Sequence, residues 1–480
     1  MARACRVLVL LLCIIVVLSL AASSEERESK RVSERASGTQ QSPRPSVLFM
    51  MSSLAVSGGN ISILQEAMEM RRRGMRVSVT VPQSEVPEDF VSLIMALSSS
   101  MSVSDVKDMV IVYDGECCWP KSPSKSLVKI ASNFDIVVAT YHTTASALDD
   151  IVRAHPHVMP AYYVQDYEPW FTCSPFGCPF QNTSEVNNSL VTRFKFAEST
   201  YSAVNGKVFL FAKTDWIKHK VETNHPGTHV HRVSPSIDHT VYYHQNKSLV
   251  GKARSAKLMR MHYYHNSTTN MSGNAKPRKL GVGKVRVIAM LRPRTSRRNS
   301  MTCLDTMLKL VSEHSHIVSF SFFGVDMATV TSMVKELVKL RGHAKHRNSK
   351  HVKVLGLLKK RKDLAKLYRG SDLFIDMSWW QAFGRTAVEA MACGCVPVMP
   401  GEGAGSYVCD GGRVCRYHDG TDAAGYYDEV VSLVYNHTER LRMTAAGIER
   451  AKEFSIHRAA STLIEVFTKG LADYRKDISM

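Results

Sequence analysis

The stretch Gln381-Ala-Phe-Gly-Arg-Thr-Ala-Val-Glu389-Ala-Met-Ala-Cys-Gly394-Cys-Val-Pro397 follows an apolar segment, Leu373 to Met377, and joins a glycine to charged and amide side chains. A helix entered at Gly384 leaves its first backbone amides without intrahelical partners, and their partial positive charge suits a pyrophosphate. Phe383, Gly384, Arg385 and Thr386 stand where those amides would be. Just inside the same helix, Glu389 sets a carboxylate where it can accept hydroxyl hydrogen bonds from a ribose. The pattern also fits an ordinary amphipathic helix with Glu389 solvated.

Three further groups carry chemistry. Met290-Leu-Arg292-Pro-Arg-Thr-Ser-Arg297-Arg298 puts guanidinium forks, which suit phosphate oxygens, directly after an apolar run. Tyr162-Tyr-Val-Gln165-Asp166-Tyr-Glu168-Pro-Trp170-Phe171 ends another apolar run with carboxylates and aromatic rings, the groups that bind and stack on a polyhydroxylated sugar. Asp166 and Glu168 also have the spacing of a metal-binding D-x-E pair, a weaker reading of one short acidic motif. Ser57-Gly58-Gly59 offers backbone that a phosphate or a second substrate can approach closely, or simply a turn. His142 lies near a strand end and reads as structural.

Positioning these groups calls for strands that end where they begin. Ser46 to Met50, Arg76 to Val81, Met109 to Tyr113, Asp135 to Thr140, Pro160 to Gln165 and Val208 to Ala212 read as buried strands, with a helix from Ile61 to Arg73 after the glycine turn. The β-loop-α-β order predicts a parallel sheet with right-handed crossovers. A second set starts at Val285 to Met290 and continues at Ile317 to Phe323, Lys353 to Leu355, Leu373 to Met377 and Val396 to Met399. The expectation is an α/β chain with two doubly wound, Rossmann-like domains, residues 46–238 and 284–455, facing a central cleft. A C-terminal helical segment, 456–480, is expected to pack back on the first domain. Ligands in such sheets bind outside the carboxyl ends of the strands. No acidic residue occurs from His239 to Leu304, so residues 239–283 read as a basic insertion.

The run F-G-R-T-A-V-E-A-M-A-C-G-C-V-P-V resembles retaining glycosyltransferases of family 4 (glycosyl transferases group 1), which have the GT-B fold and carry E-G-F-G-x-x-x-x-E-A-M-A-C-G-x-P-V. The resemblance implies transfer of a hexose or deoxyhexose from a nucleoside-diphosphate sugar to a glycan hydroxyl. It also implies retention, with no metal and no cofactor beyond the donor itself. It assigns the ribose to Glu389 and the transferred sugar to the first acidic position, which is Gln381 here. The diphosphate falls to Arg292 and Arg298, with Arg297 in reserve, and to Gly58, Gly59, Gly384, Arg385 and Thr386. The base falls to the backbone of Leu355, Gly356 and Leu357. The Gln-Asp-x-Glu-Pro segment resembles the rhamnosyltransferase branch, placing Asp166 and Glu168 in the acceptor or donor-sugar region, so the catalytic candidates are Asp166, Glu168 and Gln381. An amide at 381 also opens a second reading, a non-catalytic carbohydrate-binding protein on a degenerate GT-B scaffold.

The chain has 480 residues, 44% hydrophobic, and a formal charge of +19. That length suits more than one core. The charge fits an anionic donor, an acidic membrane or simply a basic surface; with no nucleic-acid motif beside it, nucleic acid is not expected as a partner. An apolar run from Val7 to Ala22 behind Arg3 and Arg6 fits either a cleaved signal peptide or an uncut signal anchor, and the anchor is slightly favoured. A polar stem, 23–45, follows. With acceptor sequons at Asn60, Asn182, Asn187, Asn246, Asn266, Asn270 and Asn436, this predicts a type II membrane protein of the Golgi or endoplasmic reticulum lumen, secreted if the leader is cut. Cys173 with Cys178, and Cys409 with Cys415, are spaced for short-loop bridges.

Overall fold

The computed structural model describes residues 44–480 apart from 56, 98–101, 116, 173–187, 246–283, 342–351, 359, 420 and 421. The apolar run 7–22, the stem up to residue 43, the Cys173–Cys178 pair, most of the basic insertion and the sequons at Asn182, Asn187, Asn246, Asn266 and Asn270 lie outside the described residues.

The first sheet contains β1 (Val47–Met50), β2 (Val77–Pro82), β3 (Val110–Tyr113), β4 (Ile136–Ala139), β5 (Met159–Val164), β6 (Phe209–Ala212) and β7 (Val230–Arg232), in the order β3-β2-β1-β4-β5-β6-β7. The second contains β8 (Val285–Met290), β9 (Val318–Phe323), β10 (Val352–Val354), β11 (Leu373–Ile375), β12 (Val396–Pro400) and β13 (Arg416–His418), in the order β10-β9-β8-β11-β12-β13. Every pairing is parallel. Parallel sheets survive only when both faces are covered, so their central strands are rich in apolar residues. In β1, β4 and β12 every residue is buried. Both sheets reverse their strand order beside the first strand, at β1/β4 and at β8/β11, the switch points where such folds open a crevice.

Helix α1 (Gly58–Arg72) begins earlier than its apolar spacing predicts. Ser57 caps it by accepting a hydrogen bond from the Asn60 amide at 3.1 Å, so Gly58 and Gly59 form its first turn and not a separate turn. Helix 103–109 buries too few apolar residues to show in the sequence periodicity, although a capping box marks its start. The Asp105 amide donates to Ser102 Oγ at 3.1 Å while the Ser102 amide donates back to the Asp105 carboxylate at 2.8 Å. Between the lobes' elements run α2 (Asp215–Asn224), α3 (Arg361–Arg369) and α4 (Arg385–Ala392).

The last helix, α5 (Ile456–Ser479), packs against α1 and the first sheet, where Ala460, Leu463, Phe467 and Leu471 join the core of Val47, Phe49, Ile63 and Ala67. Phe467 sits edge-on to Phe211. Fully burying Leu463 and Phe467 stabilises this docking by about 1.5–3 kcal/mol each. Cys409 and Cys415 are bridged, as are the neighbours Cys117 and Cys118, while Cys303, Cys393 and Cys395 are buried thiols. No helix among the described residues is long and apolar enough to cross a membrane.

Candidate functional site

The lobes face one another across a cleft of about 600 Å³. Its walls come from the start of α1, the ends of β5 and β8, the start of α3 and the start of α4. Gly58, Gly59, Asp166, Glu168, Arg292, Arg298, Gly384, Arg385, Thr386, Gln381 and Glu389 all line it. The segment Leu355–Leu357 does not. Leu355 and Gly356 are tied by backbone hydrogen bonds to Phe322 and Gly324, Leu357 is exposed, and the wall there is built by Leu358, Arg361 and Leu364.

Helix α4 starts from Gly384, whose φ of 79° lies in the left-handed region. A Cβ there would also lie 2.6 Å from Met399 Cε. No side chain caps this end, so the amides of Arg385 and Thr386 point their dipoles at the cleft. Gly59 answers a close approach: a Cβ would lie 2.7 Å from Gln165 Oε1, whose amide donates to the Thr140 carbonyl at 3.0 Å.

The Arg385 side chain behaves differently from a free phosphate ligand. Its guanidinium donates to Glu389 Oε1 at 2.9 Å, to Ser62 Oγ at 2.7 Å and to Gln65 Oε1 at 2.9 Å, tying α4 to α1 across the cleft. Gln65 in turn donates to Asp238, which also receives Arg361 at 2.8 Å. Burial raises the proton affinity of Glu389, and Arg385 opposes that shift.

Arg292 is exposed, held through its backbone amide, which donates to Ser300 Oγ at 2.9 Å. Arg298 is partly buried and lies 3.4 Å from the buried Asp376. Burial and the neighbouring Arg297 bring its pKa down to about 10, which leaves it a cation at neutral pH. Asp166 accepts from Trp380 Nε1 at 3.0 Å and from the Tyr167 amide at 2.9 Å. Glu168 accepts from His142 twice, at 2.6 Å from the amide and 3.0 Å from Nδ1. Burial raises the proton affinity of both carboxyls, opposed chiefly by Arg297 at Asp166 and by His142 at Glu168. Each accepts from different protein donors, and no cluster of three or more His, Cys, Asp or Glu suited to a metal occurs among the described residues. Tyr141, Phe171 and the more deeply set Trp380 and Trp170 make this end of the site aromatic, with Arg297 over both Phe171 and Trp380.

Sequence reasoning passed over several of these groups. Lys213 lines the cleft and pairs with the fully buried Glu66 at 3.2 Å, and Glu66 also accepts from Tyr163 and Ser236. Asp376, at the carboxyl end of β11, holds Gln381 Nε2 at 2.6 Å. A carboxylate closing the apolar run Leu-Phe-Ile was a signal for the latter; Lys213 and Glu66 are far apart in the chain and gave none.

Residues 328–450 match the family model for glycosyl transferases group 1. Among curated proteins, D-inositol 3-phosphate glycosyltransferase of Mycolicibacterium smegmatis is 30% identical over 124 residues, 24% of this chain and 26% of that protein. The Rhodococcus erythropolis enzyme of the same name is 35% identical over 115 residues, 23% and 25% of the respective chains. The chain thus matches about a quarter of the length of these relatives. Among solved structures, Anabaena HepE in complex with UDP and glucose superposes with a TM-score of 0.60 at 16% identity, covering 88% of this chain and 99% of that one. Sucrose-phosphate synthase of Thermosynechococcus elongatus superposes at 0.61 and 12% identity, covering 90% and 100%.

These relatives correct the expected address. They are bacterial, and bacteria have neither a Golgi apparatus nor an endoplasmic reticulum, which points away from a lumenal type II membrane protein. Neither the relatives nor the described helices support the signal anchor or membrane attachment through the N-terminal segment, which itself lies outside the described residues. What the comparisons do establish is a glycosyl transferases group 1 domain at residues 328–450, within a chain whose two α/β lobes have the GT-B-like fold.

Proposed function

We propose that this protein is a retaining glycosyltransferase that moves a hexose or deoxyhexose from a nucleoside-diphosphate sugar to a glycan hydroxyl. The observation that carries the reading is the convergence of Arg292, Arg298, the uncapped start of α4 and Glu389 on one cleft between Rossmann-like lobes. In this reading Arg292, Arg298 and the amides of Arg385 and Thr386 take the charge that develops on the departing diphosphate. Glu389 accepts the ribose hydroxyls; a carboxylate has about four lone-pair sites, so its bond to Arg385 leaves room for them. Gln381, Asp166 and Glu168 face the transferred sugar and the acceptor, beside the aromatic wall. Leu358, Arg361 and Leu364, which line the cleft, are the groups that would meet the base in this reading. Exclusion of water between the lobes favours transfer over hydrolysis of the donor.

The test is a panel of UDP-, GDP-, ADP- and dTDP-sugars offered to the purified protein, read as melting temperature and as released nucleotide. A donor must raise the apparent stability of the folded state that binds it. Glycan binding with no response to any nucleotide-sugar would refute the transferase and leave the non-catalytic carbohydrate-binding protein, the reading that the neutral Gln381 favours.

A further inference from the structure

Gln381 is pinned by its backbone. Its amide donates to the Glu402 carbonyl at 3.1 Å, and its carbonyl accepts from the Ala404 amide at 2.8 Å. A Cβ on Gly403, whose φ is 109°, would sit 2.1 Å from the Gln381 carbonyl oxygen, so the bridge between these segments is as close as backbone allows. The side-chain amide is then the remaining freedom. Its NH2 group donates to Asp376 Oδ2 at 2.6 Å and to Ser378 Oγ at 3.3 Å. Because a carboxylate accepts and cannot donate, only the NH2 face of the amide can lie against Asp376, and the carbonyl Oε1 is turned away from it.

Asp376 is itself fixed. It is 5% exposed, its amide donates to the Val398 carbonyl at 2.9 Å, and its Oδ1 accepts from the Ser378 amide at 3.0 Å. Its Oδ2 also receives the Arg298 guanidinium at 3.4 Å. Trp379 holds the same loop to the arginine segment, its amide donating to the Arg297 carbonyl at 2.9 Å. A second carboxylate at position 381 would lie against Asp376 at hydrogen-bond distance with no proton between them, which like charges resist.

We infer that Asp376 is a positioning residue for the transferred sugar: it fixes the amide of Gln381 so that Oε1 is offered to the donor, and it supplies beside Arg298 the negative charge that Gln381 lacks. The carboxylate and the amide act as a pair in which the charge sits one layer behind the sugar-facing atom. This rests on the donor reading given above. It goes beyond that reading in assigning Asp376 a part in sugar recognition, and in explaining why an amide at 381 serves there.

The experiment is a charge swap. Wild type, Asp376→Asn, Gln381→Glu and the double variant are titrated with the panel nucleotide-sugar that most raises the wild-type melting temperature, and with its nucleoside diphosphate alone. Asp376→Asn should abolish most of the affinity that the sugar adds to the nucleotide, about tenfold or more for a lost charge-assisted hydrogen bond, while affinity for the nucleotide alone holds or tightens as Arg298 loses its counter-charge. Gln381→Glu sets two carboxylates together and should lose the same increment. The double variant keeps one carboxylate, one amide and one hydrogen bond, and should recover the increment to within about threefold. A double variant no better than the worse single, or an Asp376→Asn that weakens nucleotide and nucleotide-sugar alike, overturns the positioning role and leaves the donor reading standing. A wild type that binds nothing in the panel overturns both.

Discussion

Replacing Glu389 by Gln tests the donor reading at its centre while keeping side-chain volume in a site that is 5% exposed. The wild-type carboxylate faces the cleft with one oxygen on Arg385 at 2.9 Å and burial resisting its charge. A ribose hydroxyl bonded to that carboxylate is worth about 1.5–3 kcal/mol, against about 0.5–1.5 for a neutral partner. Gln must also turn its carbonyl toward Arg385, which leaves an NH2 group where the ribose needs an acceptor. A loss of about 2 kcal/mol in nucleotide binding follows, roughly thirtyfold in affinity. Folding should suffer as well. Arg385 keeps Ser62 and Gln65 but loses its counter-charge, so we expect about 3 kcal/mol, the low end for breaking a buried pair. Calorimetric titration with whichever of UDP, GDP and ADP wild type binds most tightly reads the first effect, and thermal unfolding the second. A folded Glu389→Gln protein that binds this nucleotide within about twofold of wild type would refute the ribose assignment.

Three other perturbations have definite expected outcomes. His231 is stacked on Phe209, and burial, helped by the neighbouring His229, takes its pKa down to about 4. Its contribution to stability is complete above about 6.5, the unfolded value, and is lost as pH falls toward 4; wild type should therefore lose melting temperature more steeply than His231→Gln between those pH values, and equal slopes would contradict the shift. Gly384→Ala should destabilise by about 1–2 kcal/mol through its φ of 79° alone, with the Met399 contact adding to it, and an unchanged melting temperature would show that the start of α4 is not held as described. Arg292→Ala should weaken nucleoside-diphosphate binding about tenfold, with a reduced salt dependence and little change in stability, because no described group depends on its guanidinium; an unaltered titration would remove Arg292 from the diphosphate site.

The elements were legible because parallel strands buried on both faces must be continuous apolar runs: β1, β4, β5 and β12 stand out from their surroundings without any partner being known. The start of α4 was equally plain, since Gly384 and Glu389 are close in sequence and a helix fixes their separation. What escaped was whatever the chain brings together from afar. Arg385 looks like a phosphate ligand until α1 arrives with Ser62 and Gln65 to claim its guanidinium. Leu355–Leu357 stands just off the cleft: Gly356 has a φ of 72°, Leu357 is exposed, and Leu358 lines the wall. Elements with few apolar residues were missed for the opposite reason: helix 103–109 buries only Val106 and Met109, so its cap carries more information than its periodicity.

Electrostatics gives the cleft its direction. Among the cations set into the site, the buried Lys213 is matched by Glu66 and the partly buried Arg385 and Arg298 by Glu389 and Asp376, so each is neutralised locally before any ligand arrives. Burying such charges is tolerable only in pairs. A diphosphate brought between Arg292 and Arg298 would compete with Asp376 for the second arginine, and a cation so held gains a phosphate without having been left unpaired in the empty site. The 3.4 Å separation of Arg298 from Asp376, long beside the 2.9 Å of Arg385 to Glu389, marks Arg298 as the arginine more easily shared. The tighter pair joins the lobes through Ser62 and Gln65, so on the proposed donor reading recognition of phosphate and attachment of one lobe to the other would fall to different arginines of the same cleft.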